Sequence, residues 1–161
     1  MSLALISPAF AANGPIPAQY TCDADELSPP LAWDGVPAGT SSFALLVDDP
    51  DAPDPAAPKL VWVHWILYNL DPACRELPEG AGNASPRGGA RTGRNDGGTD
   101  GYQGPCPPIG RHRYFFRLFA LDTILPDLGA GVSRADLERA MDGHVLASAS
   151  IMGTYAHPGN G

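Results

Sequence analysis

The chain has 161 residues, and its 18 acidic residues outnumber its 10 lysines and arginines, which gives a formal net charge of −8. Nucleic acids and anionic membranes recruit proteins through basic patches, so this charge argues against both as default partners. Hydrophobic residues make up 43% of the chain and charged residues 17%, a balance that favours a single domain over residues 1–161 with a substantial core.

Four segments have the apolar and aromatic enrichment of β-strands, and Pro- and Gly-rich turn signals separate them. They are residues 43–48, 61–69, 113–121 and 145–155. In residues 61–68 both alternating sets of side chains are largely apolar, so we expect this strand to be central and covered on both faces. The pattern predicts a mainly β fold, either an antiparallel sandwich or a barrel.

One helix is predicted, over residues 133–142. Ser133 suits the N-cap position, with Asp136 three residues later. Leu137 and Met141 fall on one face of the helix, and Gly143 provides a C-terminal stop. Between the strands, residues 80–101 carry little hydrophobic signal, which indicates a long irregular loop within the same domain.

A candidate site starts at Asp49-Pro50-Asp51-Ala52-Pro53, where two carboxylates lie among prolines directly after the first predicted strand. Proline fixes its own φ and pushes the preceding residue towards extended conformations. We therefore expect both acids on a stiff corner at the end of that strand. Either Asp49 or Asp51 could instead cap a turn through its side chain, and for Asp51 this is an equal alternative.

Two histidines lie on predicted strands that follow. Trp62 and His64 share one strand face, and so do His112 and Tyr114, because alternate residues point the same way. We expect the Asp49 carboxylate to hold His64, which would then keep one tautomer and protonate more easily, as suits binding of an anion's oxygens. Each of these side chains can also be read as part of the core.

The loop around Gly104 and Pro105 lies between these strands in the sequence. Glycine lets backbone approach a ligand closely, so its N–H groups could donate to the same anion. Tyr102, just before it, is equally interpretable as a pocket wall or as packing.

The Asp49–Pro53 run, the Trp62-Val63-His64-Trp65 strand and the segment 104–114 together resemble the phosphatidylethanolamine-binding protein family, in particular its bacterial Raf-kinase-inhibitor-like branch. The resemblance extends to residues 27–33, 120–122 and 146–151, and covers essentially the whole chain. It implies a sandwich of two antiparallel sheets with one or two short helices, a cis Ala52–Pro53 peptide bond, and a homodimer.

The same resemblance implies a small pocket that binds a phosphate-type anion or a phospholipid headgroup such as phosphoryl-ethanolamine. The residues that match this pocket or lie beside it are Asp49, Asp51, Pro53, Trp62, His64, Tyr102, Gly104, Pro105, His112 and Tyr114. Eukaryotic relatives regulate protein kinases or inhibit proteases, so the resemblance also suggests a partner of either class. Only Arg111 separates Gly110 from His112, a shorter connection than in the animal relatives, so we expect a different pocket shape.

Three functions follow from these residues. The favoured one is an anion- or headgroup-binding protein that modulates a protein partner. The second is an enzyme in which Asp49 with His64 or His112 performs acid–base chemistry, although no Ser-His-Asp order, P-loop or nucleophile elbow is present. The third is a metal site formed by the same three side chains. We expect no catalytic residue, no metal and no cofactor.

The cysteines and the first residues of the chain indicate the cellular compartment. Cys22, Cys74 and Cys106 are odd in number without a Cys-x-x-Cys pair, which fits a reducing compartment. The apolar start is broken at Pro8 and lacks a basic segment, so we predict no signal peptide, and no run approaches the ~20 apolar residues of a membrane span. We therefore expect a cytoplasmic protein. Cys106 is either a reactive thiol or a small packing residue.

Overall fold

The structure is a computed structural model that describes residues 2–159. Within that range the fold is mainly β, with eight strands and one α-helix. In chain order the elements are β1 Ala4–Ile6, β2 Leu31–Asp34, β3 Ser42–Ala52, β4 Leu60–Leu70, β5 Glu76–Leu77, β6 Arg91–Thr92, β7 His112–Leu121, α1 Arg134–Met141 and β8 Val145–Tyr155.

The strands form two antiparallel sheets. The smaller sheet has the order β1-β2-β5, and the larger has the order β6-β4-β3-β7-β8. Strand β3 therefore lies at the centre of the larger sheet, with β4 on one side and β7 on the other. The predicted mainly β fold of two antiparallel sheets is confirmed.

Side chains of β3 alternate between two hydrophobic cores, as the period of a strand requires. Phe43, Leu45 and Val47 belong to the core shared with the smaller sheet, where Trp33 packs edge-on against Phe43 with ring centroids 5.5 Å apart. Ala44 and its alternating neighbours belong to the second core, on the helix side of the sheet. Coverage on both faces explains why the central strands are apolar at every position.

Helix α1 has the caps that the sequence predicts. The Ser133 hydroxyl accepts a hydrogen bond from the Asp136 backbone, and the Asp136 carboxylate accepts one from the Ser133 backbone. Leu137 and Met141 are buried in the second core. Gly143 follows with φ +80°, a left-handed conformation that glycine adopts without strain.

Two expectations about the strands need correction. Asp49, Pro50 and Asp51 lie within β3 and not on a corner after it, because the strand continues to Ala52 through register shifts on both sides of Asp49. Four strands, β1, β2, β5 and β6, were not predicted. They have only two to four residues each, too few for an alternating pattern to be visible.

The loop over residues 80–101 is mostly irregular, as predicted, but contains the 3₁₀ turn Ala81–Asn83 and strand β6. In the part of the chain that is described, no helix is both long enough and apolar enough to cross a bilayer.

Candidate functional site

A cavity of about 270 Å³ lies at one end of the larger sheet, where β3, β4 and β7 meet the loop that precedes β7. Asp49 pairs with Trp62 across β3 and β4, and His112 and Tyr114 come from the start of β7. The cavity is lined by Asp49, Ala52, Pro53, Trp62, His64, Gln103, Gly104, Cys106, Pro107, Pro108, His112 and Tyr114.

Asp49 and His112 form a buried pair in this cavity. The His112 Nδ1 lies 2.6 Å from the Asp49 Oδ2, and the His112 Nε2 lies 2.9 Å from the Ile109 carbonyl oxygen. Because a carbonyl oxygen only accepts, Nε2 carries a hydrogen. The Nδ1–Oδ2 contact then holds one more proton, on the imidazole if Asp49 is ionised or on the carboxyl if it is not. Either way the pair has no net charge.

Burial raises the pKa of the Asp49 carboxyl, and the hydrogen bond from His112 acts in the opposite direction. The other carboxylate oxygen of Asp49 accepts a 2.7 Å hydrogen bond from the Asp51 backbone N–H. Asp49 therefore has two roles, since its side chain holds the β3 backbone at Asp51, where the register shifts, and also orients His112.

His64 is held by the backbone and not by Asp49, contrary to the expected carboxylate-held histidine at this position. Its Nδ1 lies 2.7 Å from the Gln103 carbonyl oxygen, so Nδ1 donates and Nε2 carries the lone pair. Burial lowers the pKa of His64 to about 4. At neutral pH His64 is therefore an uncharged acceptor at the cavity.

The Tyr114 ring stands between the two histidines. Its centroid lies 5.2 Å from that of His64, nearly perpendicular, and 6.3 Å from that of His112, nearly parallel. The Tyr114 hydroxyl is buried and has no hydrogen-bond partner among residues 2–159. Burial raises the pKa of Tyr114, so the hydroxyl keeps its proton and remains an available donor.

Gln103 is a site residue that the sequence analysis missed. Its backbone exchanges hydrogen bonds with His64, and its side-chain oxygen accepts one from the Trp62 indole at 2.8 Å. These bonds fix both the His64 tautomer and the Trp62 ring. A glutamine in a loop carries no signal that would reveal this role, which depends on the loop docking along β4.

Asp51 faces away from the cavity. Its carboxylate accepts two hydrogen bonds from the Arg113 guanidinium, at 2.9 and 3.0 Å, and a third from the Arg113 backbone. This guanidinium lowers the pKa of Asp51. The peptide bond that follows Ala52 is cis, as the resemblance implies, and Pro53 lines the cavity wall.

The Gly104 N–H is not free for a ligand, which corrects the expected role of this loop. It donates to the Glu26 carboxylate at 3.0 Å. A Cβ at Gly104 would lie 2.6 Å from the Tyr20 carbonyl oxygen, so close packing against that segment requires glycine here. Pro105 and Tyr102 do not line the cavity, and the Tyr102 hydroxyl donates to Tyr20.

Cys106 is neither a free thiol nor merely a packing residue, because it forms a disulfide with Cys22. The expectation of unpaired cysteines is wrong at these two positions. Pairing across 84 residues of sequence could not be deduced from spacing, because it depends on how the chain folds. Cys74 is free.

Seven of the ten residues selected from the sequence line the cavity, and ligand binding by them remains a prediction. They are Asp49, Pro53, Trp62, His64, Gly104, His112 and Tyr114. A second cavity, of about 470 Å³, lies between the end of β4 and residues 77–90 and contains none of the ten.

A sequence model of the family described as phosphatidylethanolamine-binding protein matches residues 6–156. A UPF0098 protein of Methanothermobacter thermautotrophicus is 52% identical over 149 residues, which cover 91% of this chain and 94% of the relative.

Two solved structures are similar over nearly their whole length. A putative phosphatidylethanolamine-binding protein homologue of Chlamydia trachomatis has 43% identity and a TM-score of 0.86, with 96% of this chain and 97% of that chain covered. YbcL of E. coli, described as a new member of the mammalian PEBP family, has 32% identity and a TM-score of 0.85, with 96% and 98% covered.

Proposed function

This chain belongs to the phosphatidylethanolamine-binding protein family, and from that membership we propose that its cavity binds the phosphate group of a small anion or of a phosphoryl-ethanolamine headgroup. The observation that carries the proposal is the neighbouring pair formed by His64 and Tyr114. His64 Nε2 has no hydrogen-bond partner among residues 2–159 and offers a lone pair, while the buried Tyr114 hydroxyl offers an unused proton.

One acceptor beside one donor fits a phosphate monoanion better than a dianion. The monoanion has a P–OH that donates to His64 Nε2 and an unprotonated oxygen that accepts from Tyr114. A dianion would place an oxygen lone pair against the Nε2 lone pair. The Asp49–His112 pair, having no net charge, does not repel the anion.

Binding is expected to be weak, with a dissociation constant in the high-micromolar to millimolar range, roughly −4 to −6 kcal/mol. The anion has to shed its hydration, and few donors in this cavity are free to replace that water. The cavity volume of about 270 Å³ admits a headgroup but is small for a drug-sized ligand.

The arrangement favours binding over catalysis. His112 has both ring nitrogens engaged, so it offers no free position for a substrate's proton. His64 has a free Nε2, but its pKa of about 4 makes it a weak base near neutral pH. The same engagement of His112 disfavours a metal site built from His64, His112 and Asp49.

The test is calorimetric titration with phosphoryl-ethanolamine and with inorganic phosphate at pH 6 and pH 8. A phosphomonoester loses its second proton near pH 6, so the wild type should bind phosphoryl-ethanolamine more tightly at the lower pH. His64→Asn keeps a donor near the Nδ1 position and removes Nε2, and should cost about 1.5 to 3 kcal/mol of binding at pH 6.

His144→Ala is the matched control, because His144 is an exposed histidine paired with Asp122 away from the cavity. The affinity of this variant for phosphoryl-ethanolamine and for phosphate should equal that of the wild type. If His64→Asn also binds like the wild type, the anion site lies elsewhere. Tighter wild-type binding at pH 8 would show instead that the dianion is bound and that His64 is not the acceptor.

The proposal extends to a homodimer, a cytoplasmic location and a modulatory role towards a protein kinase or protease. The last two rest on the family resemblance and the sequence alone, and the Cys22–Cys106 disulfide removes the argument for a reducing compartment that the cysteine count supplied. For the dimer there is one supporting feature, at the edge strand β8. Residues 13–16 hydrogen-bond to the later part of this edge, at Met152 and Thr154, whereas its first residues include the exposed side chains Val145 and Leu146. The first half of this edge, with its exposed apolar residues, is therefore the part suited to pairing with a second copy.

A further inference from the structure

A second group of reactive side chains lies next to the cavity and takes no part in the proposed anion site. The two sulfurs of Cys22 and Cys106 and one ring nitrogen of His157 all lie within 4.8 Å of one another. The Cys106 sulfur is 3.8 Å from the His157 Nε2. Cys106 also lines the cavity, so this cluster and the cavity share a wall.

His157 is oriented by a carboxylate. Its Nδ1 lies 2.8 and 3.0 Å from the two carboxylate oxygens of Asp23, which also accepts a hydrogen bond from the Tyr155 hydroxyl. A hydrogen on Nδ1 satisfies this contact and leaves the Nε2 lone pair towards the sulfurs. A carboxylate behind the histidine is the usual arrangement around metal-binding histidines, where it fixes the tautomer and the ring orientation.

Two thiolates and one imidazole form a donor set that zinc prefers. In tetrahedral zinc sites the bond lengths are 2.3 Å to sulfur and 2.0–2.1 Å to nitrogen, so a sulfur and a nitrogen ligand lie about 3.6 Å apart and two sulfurs about 3.8 Å apart. The Cys106–His157 distance of 3.8 Å is already close to this value. The sulfurs need only separate once their bond is broken.

We propose that reduction of the Cys22–Cys106 disulfide creates a zinc site formed by the two thiolates and His157 Nε2, with Asp23 as the positioning residue. The reductant is a dithiol or a phosphine that supplies two electrons. The sulfur–sulfur bond breaks and two protons are taken up, giving two thiols, while the dithiol becomes a cyclic disulfide or the phosphine takes oxygen from water. Zinc then displaces both thiol protons.

The backbone keeps the two cysteines together after reduction. Their Cα atoms are 5.4 Å apart, and the Cys22 N–H donates to the Pro105 carbonyl oxygen at 3.1 Å. Zinc therefore replaces the disulfide as the link between the N-terminal segment and the cavity loop, residues 103–108. A reducing compartment, which favours the dithiol form, would leave this loop tied to the fold by the metal.

The experiment uses the whole chain, oxidised or reduced with a phosphine, and titrates it with Zn²⁺ against a chromophoric chelator. The reduced chain should bind one Zn²⁺ and the oxidised chain none at this site. Co²⁺ added to the reduced wild type should give the intense near-ultraviolet absorption of thiolate ligation. This readout uses only the wild type, so it does not depend on whether any variant folds.

Variants assign the ligands. Cys106→Ser and His157→Ala should each weaken Zn²⁺ binding about tenfold or more, and Asp23→Asn should weaken it about 10- to 100-fold while the cobalt–thiolate band persists. Cys74→Ser is the matched control. It should leave the Zn²⁺ affinity and the cobalt–thiolate band unchanged, since Cys74 is free and lies outside the cluster. Circular dichroism establishes that each variant is folded.

Two results would overturn the proposal. One is a reduced wild type that takes up no Zn²⁺ and shows no cobalt–thiolate band. The other is Zn²⁺ affinity that is unchanged in folded Cys106→Ser or His157→Ala. Neither result bears on phosphate binding, because His64 and Tyr114 are not members of this cluster.

Discussion

The His112 imidazole and the Asp49 carboxylate, 63 residues apart in the sequence, form a buried hydrogen bond of 2.6 Å at the wall of the cavity. The second imidazole nitrogen is held by the Ile109 carbonyl oxygen. Both nitrogens of His112 are therefore engaged, and of the two histidines that line the cavity only His64, which Asp49 does not hold, has a nitrogen available to a ligand.

Asp49→Asn should have little effect on binding of inorganic phosphate. The Asp49–His112 pair of the wild type has no net charge. In the variant, the introduced amide and a neutral His112 imidazole also have no net charge, so the charge at the cavity wall stays the same. We expect the dissociation constant for phosphate to change by less than about tenfold, which is 1.4 kcal/mol. Calorimetric titration at pH 7 measures it.

Phosphoryl-ethanolamine is the internal comparison for this variant, because its ammonium group could contact the Asp49 carboxylate. A selective loss of phosphoryl-ethanolamine binding would place the ammonium beside Asp49. A large loss for both ligands would show that the charge of Asp49 matters for the phosphate itself, contrary to the expectation.

His64 should make the fold sensitive to acid. Its pKa is about 4 in the folded chain and about 6.5 in the unfolded chain, so the unfolded chain takes up the proton first as the pH falls. Its contribution to stability is full above pH 6.5 and is lost progressively between pH 6.5 and pH 4. The loss at pH 4.5 is on the order of 2 to 3 kcal/mol.

Urea unfolding of the wild type and His64→Asn at pH 7 and pH 4.5 checks this. The variant should lose less stability than the wild type over this range, because its amide does not titrate. Other groups, including the carboxylates, contribute equally to both proteins and cancel in the comparison. Equal losses would mean that His64 is protonated in the folded chain.

Arg113→Ala should destabilise the fold without weakening ligand binding. The Asp51 side chain is only 8% exposed and would lose both guanidinium hydrogen bonds, while the bond from the Arg113 backbone remains. The Arg113 side chain is half exposed, so solvent screening limits the cost to about 1 to 2 kcal/mol at neutral pH. Urea unfolding measures this loss.

The double variant Asp51→Asn with Arg113→Ala provides the comparison for this pair. It should lose less stability than the sum of the two single variants, because no buried charge is left unpaired. Affinity for phosphoryl-ethanolamine should stay at the wild-type value, since neither residue lines the cavity. Reduced affinity in Arg113→Ala would show that this pair supports the site through β3 and β7.

Sedimentation equilibrium at micromolar concentration should give twice the chain mass of 16.8 kDa, as expected for a homodimer. Leu146→Lys, in the first half of the β8 edge, should shift the mass towards the monomer because it places a charge in the proposed contact. Ile124→Lys is the matched control, since Ile124 is also exposed but lies outside β8. A wild type that sediments only as a monomer would contradict the proposal.

Sequence patterns determined the main strands, the helix and the residue types of the cavity. Alternation over Phe43, Leu45 and Val47 is a local property, because it follows from the geometry of one strand packed between two cores. The same holds for the Ser133–Asp136 capping box, whose partners are three residues apart. His112 and Tyr114 share a face for the same reason.

The tertiary structure alone decided which of these groups meet. The register of β3 with β4 and β7 places Asp49 against His112 and leaves His64 to the Gln103 carbonyl. A residue's type does not reveal partners that lie 63 and 39 positions away. Docking of the cavity loop likewise commits the Gly104 N–H to Glu26 and joins Cys106 to Cys22. Hydrogen bonds and disulfides between distant segments depend on distances of a few tenths of an ångström, which only the packed fold sets.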